Sequence, residues 1–160
     1  MKNVFWLIPN RLAGRAGPDY APWPLAELRA TGFNAVLNVS EFEPAHSAFY
    51  EAQLEVLWVP LPNNYPADTE AEIDCLHALP ATYEFLHSNL EAGRNVLVHC
   101  AWGRDRTGLV LAYHLARSFG LSPDAAIARV RQVCPKALSA TGWEQMAERV
   151  IANLLAPTDG

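Results

Sequence analysis

Residues 95–115 read Asn-Val-Leu-Val-His-Cys-Ala-Trp-Gly-Arg-Asp-Arg-Thr-Gly-Leu-Val-Leu-Ala-Tyr-His-Leu. The apolar run Val96-Leu97-Val98 is short enough to be a buried strand, and the run from Leu109 to Leu115 reads as a buried helix. Cys100 and Arg106 stand between them, separated by five residues. A strand, a tight loop and a helix leave the backbone N–H groups of the loop pointing inward. The helix adds the positive end of its dipole, so the loop is predicted to hold an anion. Gly103 permits a turn that a side chain would obstruct, and the planar fork of Arg106 suits two oxygens of one phosphate. Cys100 then sits at the bottom of a cup that stabilises negative charge. Surroundings of that kind lower a thiol pKa and yield a thiolate nucleophile near neutral pH.

The rest of the chain sets bounds on this reading. Its 160 residues make one predicted domain, residues 1–160, with a frayed tail at 156–160. The apolar fraction is 51%, yet no apolar run approaches the length needed to span a membrane. The opening Phe5-Trp6-Leu7-Ile8 turns polar at Asn10-Arg11, too soon for a signal peptide. Cys75, Cys100 and Cys134 suggest neither a disulfide framework nor a zinc site, and His46, His77, His87 and His114 lack metal-ligand spacing. No metal or cofactor is therefore expected. A reactive free thiol fits a reducing cytoplasm, the expected location. The net charge of −5 argues against nucleic acid and against broad docking on anionic lipid, while leaving room for a small basic pocket.

Read in order, residues 4–8, 11–14, 33–39 and 54–59 are predicted strands, and residues 25–30 and 45–52 short helices. The loop from Pro60 to Asp68 has no periodicity. Thr69 with Glu72 reads as a capping box opening a helix that ends at Gly93, with a kink or a break expected at Pro80. Ser122-Pro123 opens the next helix, and Thr141 with Glu144 reads as a second capping box before the last. Phe33, Trp58, Tyr83 and Phe85 read as core, as do Cys75 and Cys134. Alternating strands and helices predict an α/β fold, a central, mostly parallel sheet flanked by helices. Ligands in such folds bind beyond the carboxyl ends of the strands, where His99-Cys100 falls.

The stretch His99-Cys100-x5-Arg106-Thr107-Gly108 resembles the signature of the cysteine-based protein tyrosine phosphatases, and over most of its length the chain is most similar to the small atypical dual-specificity phosphatases. Trp6-Leu7-Ile8-Pro9-Asn10-Arg11-Leu12-Ala13-Gly14 looks like that group's opening Trp-x-x-Pro-Gly-Arg-Leu-Ala-Gly, and Leu61-Pro62 looks like its Ile-Pro-Asp segment. The resemblance implies a protein-tyrosine-phosphatase-like fold and a two-step hydrolysis. Cys100 attacks phosphorus to form a phosphocysteine, and water then releases phosphate. It further implies that Arg106 and the loop N–H groups of Ala101, Trp102, Gly103, Arg104 and Asp105 bind the phosphate. Thr107 would donate a hydrogen bond to the departing thiolate, and His99 would hold the loop.

One position departs from the family pattern. Where the family places the general acid Asp after its Ile-Pro step, this chain has Asn63, and an amide cannot give up a proton at useful pH. Asp68 is one substitute, if its loop folds back over the pocket. Its alternative is a residue beside a helix N-terminus. Asp105, within the loop, is the other. Like-charge repulsion from a thiolate and a phosphate dianion would keep a proton on it. Its alternative is a carboxylate turned outward to a neighbouring N–H or Arg. Myotubularin-type phosphatases and some bacterial lipid-active ones also carry Gly-x-Asp-Arg-Thr here.

The leading reading is a metal-independent phosphatase of dual-specificity type, acting as a monomer on a phosphorylated protein or a small phosphorylated substrate. Arg104, a second cation at the rim, adds a phosphoinositide or inositol phosphate phosphatase as an alternative. Asn63 adds a phospho-binding protein without turnover. A rhodanese-like sulfur-transfer or arsenate-reducing enzyme is a further alternative, against which Thr107-Gly108 counts.

Overall fold

The computed structural model describes residues 1–157. The chain opens with β1 (Phe5–Ile8) and β2 (Leu12–Ala16), an antiparallel pair. Then come α1 (Leu25–Thr31), β3 (Ala35–Asn38), α2 (His46–Glu51) and β4 (Glu55–Trp58). The second half holds α3 (Thr69–Glu91), β5 (Val96–Cys100), α4 (Asp105–Phe119), α5 (Pro123–Arg131) and α6 (Trp143–Leu155). The sheet runs β1-β2-β5-β3-β4, with every pairing after the first parallel. The expected α/β architecture is therefore present. The central strand is β5, the one that leads into the Cys100 loop.

Alternation along the strands sorts the core into two layers. Ala13, Leu97 and Val36 are register neighbours and point to one face, where Leu28, Phe33, Phe49 and Leu54 cover them. Leu12, Val96, Ala35, Val98 and Leu37 point to the other face, packed by α3, α4, α5 and α6. Both faces of β5 are fully buried, which explains an apolar run with no polar interruption.

The structure corrects three local expectations. The cap of α3 is Asp68, whose carboxylate accepts from Ala71 N at 2.8 Å, and Thr69 is the first helical residue. Asp68 is the better placed of the two neighbours because its backbone is extended, as an N-cap requires. Before α6 the capping position is Gly142 in the left-handed region, without a side-chain cap. Thr141 instead puts its hydroxyl 3.4 Å from that of Tyr65. Nor does Pro80 divide its helix, since α3 runs 23 residues without a break. The buried stripe Ala71, Cys75, Leu79, Tyr83 and Leu86 continues past the proline. That burial outweighs the roughly 3 kcal/mol cost of an interior proline.

Smaller differences follow from pairing. β2 extends to Ala16 because Arg15 and Ala16 continue the ladder opposite His99 and Cys100. Phe33 and Tyr83 are core, whereas Trp58 and Phe85 are half-buried, and Trp58 Nε1 donates to Ser40 O at 2.9 Å. Cys75 is buried and Cys134 half-buried. Of the tail expected to fray, residues 158–160 lie outside the described residues.

Candidate active site

Cys100 is the last residue of β5 and Arg106 the second of α4, so the intervening loop turns back within four residues, Ala101 to Arg104. The turn is made at Gly103, with φ of +74°. A Cβ there would also lie 2.5 Å from Arg15 C, so any side chain would push the loop off β2. A backbone bond from Gly17 N to Ala101 O, 2.9 Å, ties down the loop's other end.

Two donors converge on the Cys100 sulfur. Gly103 N lies 3.2 Å from Sγ and Thr107 Oγ1 lies 3.1 Å from it. The first-turn N–H groups of α4 open toward the same space, since the opening turn of a helix has no acceptor of its own. Beneath the loop, His99 is 3% exposed, and its Nδ1 donates to Cys100 O at 3.1 Å. The His99 ring meets the edge of Trp23 at 5.1 Å between centroids. Burial, opposed by the Cys100 carbonyl and aided by Arg15 and Arg106, pushes its pKa down to about 4. His99 is therefore a neutral prop of the loop near neutral pH.

A cup of about 280 Å³ opens beside Cys100, which is itself buried and outside the cup's lining, whereas the next residue, Ala101, lines it. Ala101, Trp102, Asp105 and Arg106 form one wall, while Asn63, Asn64, Tyr65 and Trp143 face them. Arg106 is buried and pairs through Nη1 with Glu41 Oε2. Glu41 also receives Asn63 Nδ2 at 3.4 Å, so the residue at the family's acid position touches the partner of the arginine. A turn holds Glu41 in place. Asn38 Oδ1 accepts from Ser40 N at 2.9 Å and from Ser40 Oγ at 2.7 Å, just past the end of β3.

The structure separates the two acid candidates. Asp105 lines the cup. Its Oδ1 accepts from Ala140 N at 3.2 Å, and no bond to Oδ2 is seen among the described residues. Asp68 lies outside the cup lining, capping α3. Both of its oxygens accept from Asn64 Nδ2, at 2.9 and 3.0 Å. The Ala71 N–H, then Asn64, hold its carboxyl below the usual carboxylate range.

Sequence reading passed over Glu41, Tyr20, Asn64, Tyr65 and Trp143. For Glu41 a signal existed: it stands three residues beyond the carboxyl end of β3, beside the central strand, where α/β folds place their sites. The others arrive from loops and from α6, far away in sequence. Their approach is set by tertiary bonds such as Trp143 Nε1 to Asn64 O, 3.0 Å.

Comparison with known proteins places the chain in a family. The family model described as dual specificity phosphatase, catalytic domain, matches residues 19–149. The rat protein named dual specificity protein phosphatase 12 is 33% identical over 134 residues, covering 82% of this chain and 35% of its own length. The Arabidopsis thaliana phosphatidylglycerophosphate phosphatase PTPMT1 is 31% identical over 74 residues, 46% of this chain and 22% of its own. The chain thus spans between 22% and 35% of the length of these two relatives. Among solved structures, Tk-PTP in its active form superposes with a TM-score of 0.76 at 24% identity, over 96% of either chain. No described helix is long and apolar enough to cross a membrane.

Proposed function

The chain belongs to the dual-specificity phosphatase catalytic-domain family, and from that premise we propose that it hydrolyses phosphomonoesters, including those of tyrosine, serine and threonine, through a phosphocysteine on Cys100. The observation that carries the proposal is the convergence of Gly103 N and Thr107 Oγ1 on the Cys100 sulfur, beside a cup walled by Arg106.

In the first step the Cys100 thiolate forms a bond to phosphorus as the ester oxygen leaves. Arg106 and the loop N–H groups bear the charge of the equatorial oxygens. Asp105 gives its proton to the leaving oxygen. In the second step water attacks phosphorus, its proton passes to Asp105, and the phosphorus–sulfur bond breaks. The Thr107 hydroxyl donates to the sulfur as it leaves. Asp105 takes this role because it alone of the two candidates lines the cup and keeps one oxygen uncommitted. Glu41 is the positioning residue for Arg106.

The test is release of p-nitrophenol from p-nitrophenyl phosphate between about pH 5 and 7, in EDTA and a thiol reductant. Turnover is expected, and Cys100→Ser is expected to reduce it by about 10⁴-fold or more. A folded protein that binds vanadate yet releases no product would replace this reading with that of a phospho-binding protein.

A second reading, a phosphatase of inositol or lipid phosphates, draws on Arg104. It is exposed at the loop's rim, and no ion pair to it is seen among the described residues. The name of the Arabidopsis relative, which specifies a phospholipid phosphate, points the same way.

A further inference from the structure

Tyr20 and Trp102 stack with ring centroids 3.8 Å apart, and the pair forms a partition with a cavity on each side. One side is the cup. The other is a groove of about 470 Å³ between β1, the end of β2 and the turn after α5. A groove of that volume lies within the range of small-molecule sites. Phe5, Ala16, Ala21, Val133 and Pro135 make its walls apolar, and Arg104 and Lys136 stand on its rim.

Those two cations share one feature with Lys2 and Arg29, which lie off the groove lining: none of the four meets a carboxylate among the described residues. Arg94, Arg106, Arg117, Arg131 and Arg149 each meet a carboxylate. No such partner, and no side-chain hydrogen bond, is seen for Arg104 or Lys136 among the described residues. In a chain of net charge −5, two uncompensated cations therefore border one apolar groove, a short step from the Cys100 cup. Charge complementarity calls for an anion there, separate from the phosphate that the cup itself holds.

We propose that the groove is the subsite for the body of an amphiphilic substrate, a glycerophospholipid bearing a terminal phosphomonoester. The terminal phosphate enters the cup. Arg104 and Lys136 meet the phosphodiester, and the first carbons of the acyl chains lie on Phe5, Val133 and Pro135. Hydrocarbon suits these walls better than a peptide does, because a peptide backbone needs hydrogen-bond partners that apolar walls withhold. The inference rests on the phosphatase reading of the cup and deepens its lipid form.

The test compares kcat/KM, by released inorganic phosphate, on four substrates. They are short-chain phosphatidylglycerol phosphate kept below its micelle concentration, its deacylated headgroup, a phosphotyrosine peptide flanked by glutamates, and p-nitrophenyl phosphate. The acylated lipid is expected to exceed its headgroup by about tenfold or more, the equivalent of burying a few methylenes. Lys136→Glu, at an exposed site, is expected to lower the ratio of lipid to p-nitrophenyl phosphate turnover by about fivefold. Val133→Asp should bring lipid and headgroup together. Equal rates on lipid and headgroup, or preference for the acidic phosphopeptide, would overturn the groove. Failure to turn over even p-nitrophenyl phosphate would sink the catalytic reading instead. Binding of lipid and headgroup to the Cys100→Ser protein would then decide, and equal affinities would overturn the groove.

Discussion

Two segments face each other across the cup, and they are held by different means. Residues 100–107 take their shape from what flanks them. A buried strand runs in and a buried helix runs out, with one glycine at positive φ between them, and the side chains of Cys100, Arg106 and Thr107 are buried. Residues 60–68 have no regular structure, and most of their side chains are exposed or half-exposed. They are held from outside, by Trp143 Nε1 to Asn64 O, Ala67 N to Thr141 O, and Asp68 at the start of α3. On the proposed mechanism, the first segment carries the nucleophile and the phosphate clamp. The second carries Asn63 where the family's acid stands. A cup built from one self-defined wall and one borrowed wall can keep its phosphate chemistry while its acid changes place.

If the acid has moved to Asp105, on the self-defined wall, Asp105→Asn should show it. Turnover of a substrate with a poor leaving group, such as an alkyl phosphate, should fall by about 10²- to 10³-fold. p-Nitrophenyl phosphate, whose leaving oxygen needs no proton, should be hydrolysed at close to the original rate. Equal losses on the two substrates would break the assignment, and with it the claim that both roles reside in one loop.

The strand that enters the loop and the helix that leaves it each carry a pH-dependent element too. His99 under the loop and His114 along α4 are buried, and burial is the main cause that pushes each pKa down to about 4. In the unfolded chain each titrates near its ordinary value of about 6.5. Between those values the unfolded chain binds more protons, so stability falls as pH falls from about 6.5 toward 4 and is flat above. Each histidine accounts for about 2.5 kcal/mol between pH 7 and 4.5. Urea unfolding of His114→Phe should therefore lose that much less than the parent over the same span. An identical pH dependence in the two proteins would show that His114 does not stay neutral in the folded state.

Glu41 tests how the clamp is aimed. It arrives from the end of β3 and pairs with Arg106, so it links the loop to the sheet without touching the sulfur. Glu41→Gln keeps a side-chain acceptor but removes the charge, and kcat/KM on p-nitrophenyl phosphate should fall by about tenfold as Arg106 loses its orientation. An unchanged rate would mean that the loop alone positions the arginine.

How much of this was legible in the chain follows from the same contrast. The α/β sheet and the order of its elements could be read because Val96-Leu97-Val98 and Leu109 to Ala112 are apolar runs buried on every side, and the turn between them needs its glycine. The Cys100, Arg106 and Thr107 arrangement is local in sequence, so spacing was enough. The far wall was not legible, because Tyr65, Asn64 and Trp143 reach the cup through contacts with partners up to 79 residues away. No periodicity encodes such contacts. The two misread caps have a related cause. Thr69 and Thr141 each satisfy the spacing of a capping box, but the backbone just ahead of α3 and α6 assigned capping to Asp68 and Gly142. Spacing could not show that.

Asp68 is where the borrowed wall can be tested with least disturbance to the cup. Its carboxylate caps α3 and holds Asn64, and the same bonds keep it ionised and its oxygens engaged. A carboxylate held in that way serves a helix end better than it serves a leaving group. Asp68→Ala should therefore lower Tm by roughly 2–4 °C, the ordinary cost of a lost N-cap in a domain of this size. Turnover of an alkyl phosphate should stay within about twofold of the parent, since a proton donor would be missed by about 10²-fold or more. A large, substrate-dependent loss of rate would return the acid to the 60–68 loop. It would also mean that this loop closes over bound substrate, which would make the far wall a working part of the chemistry.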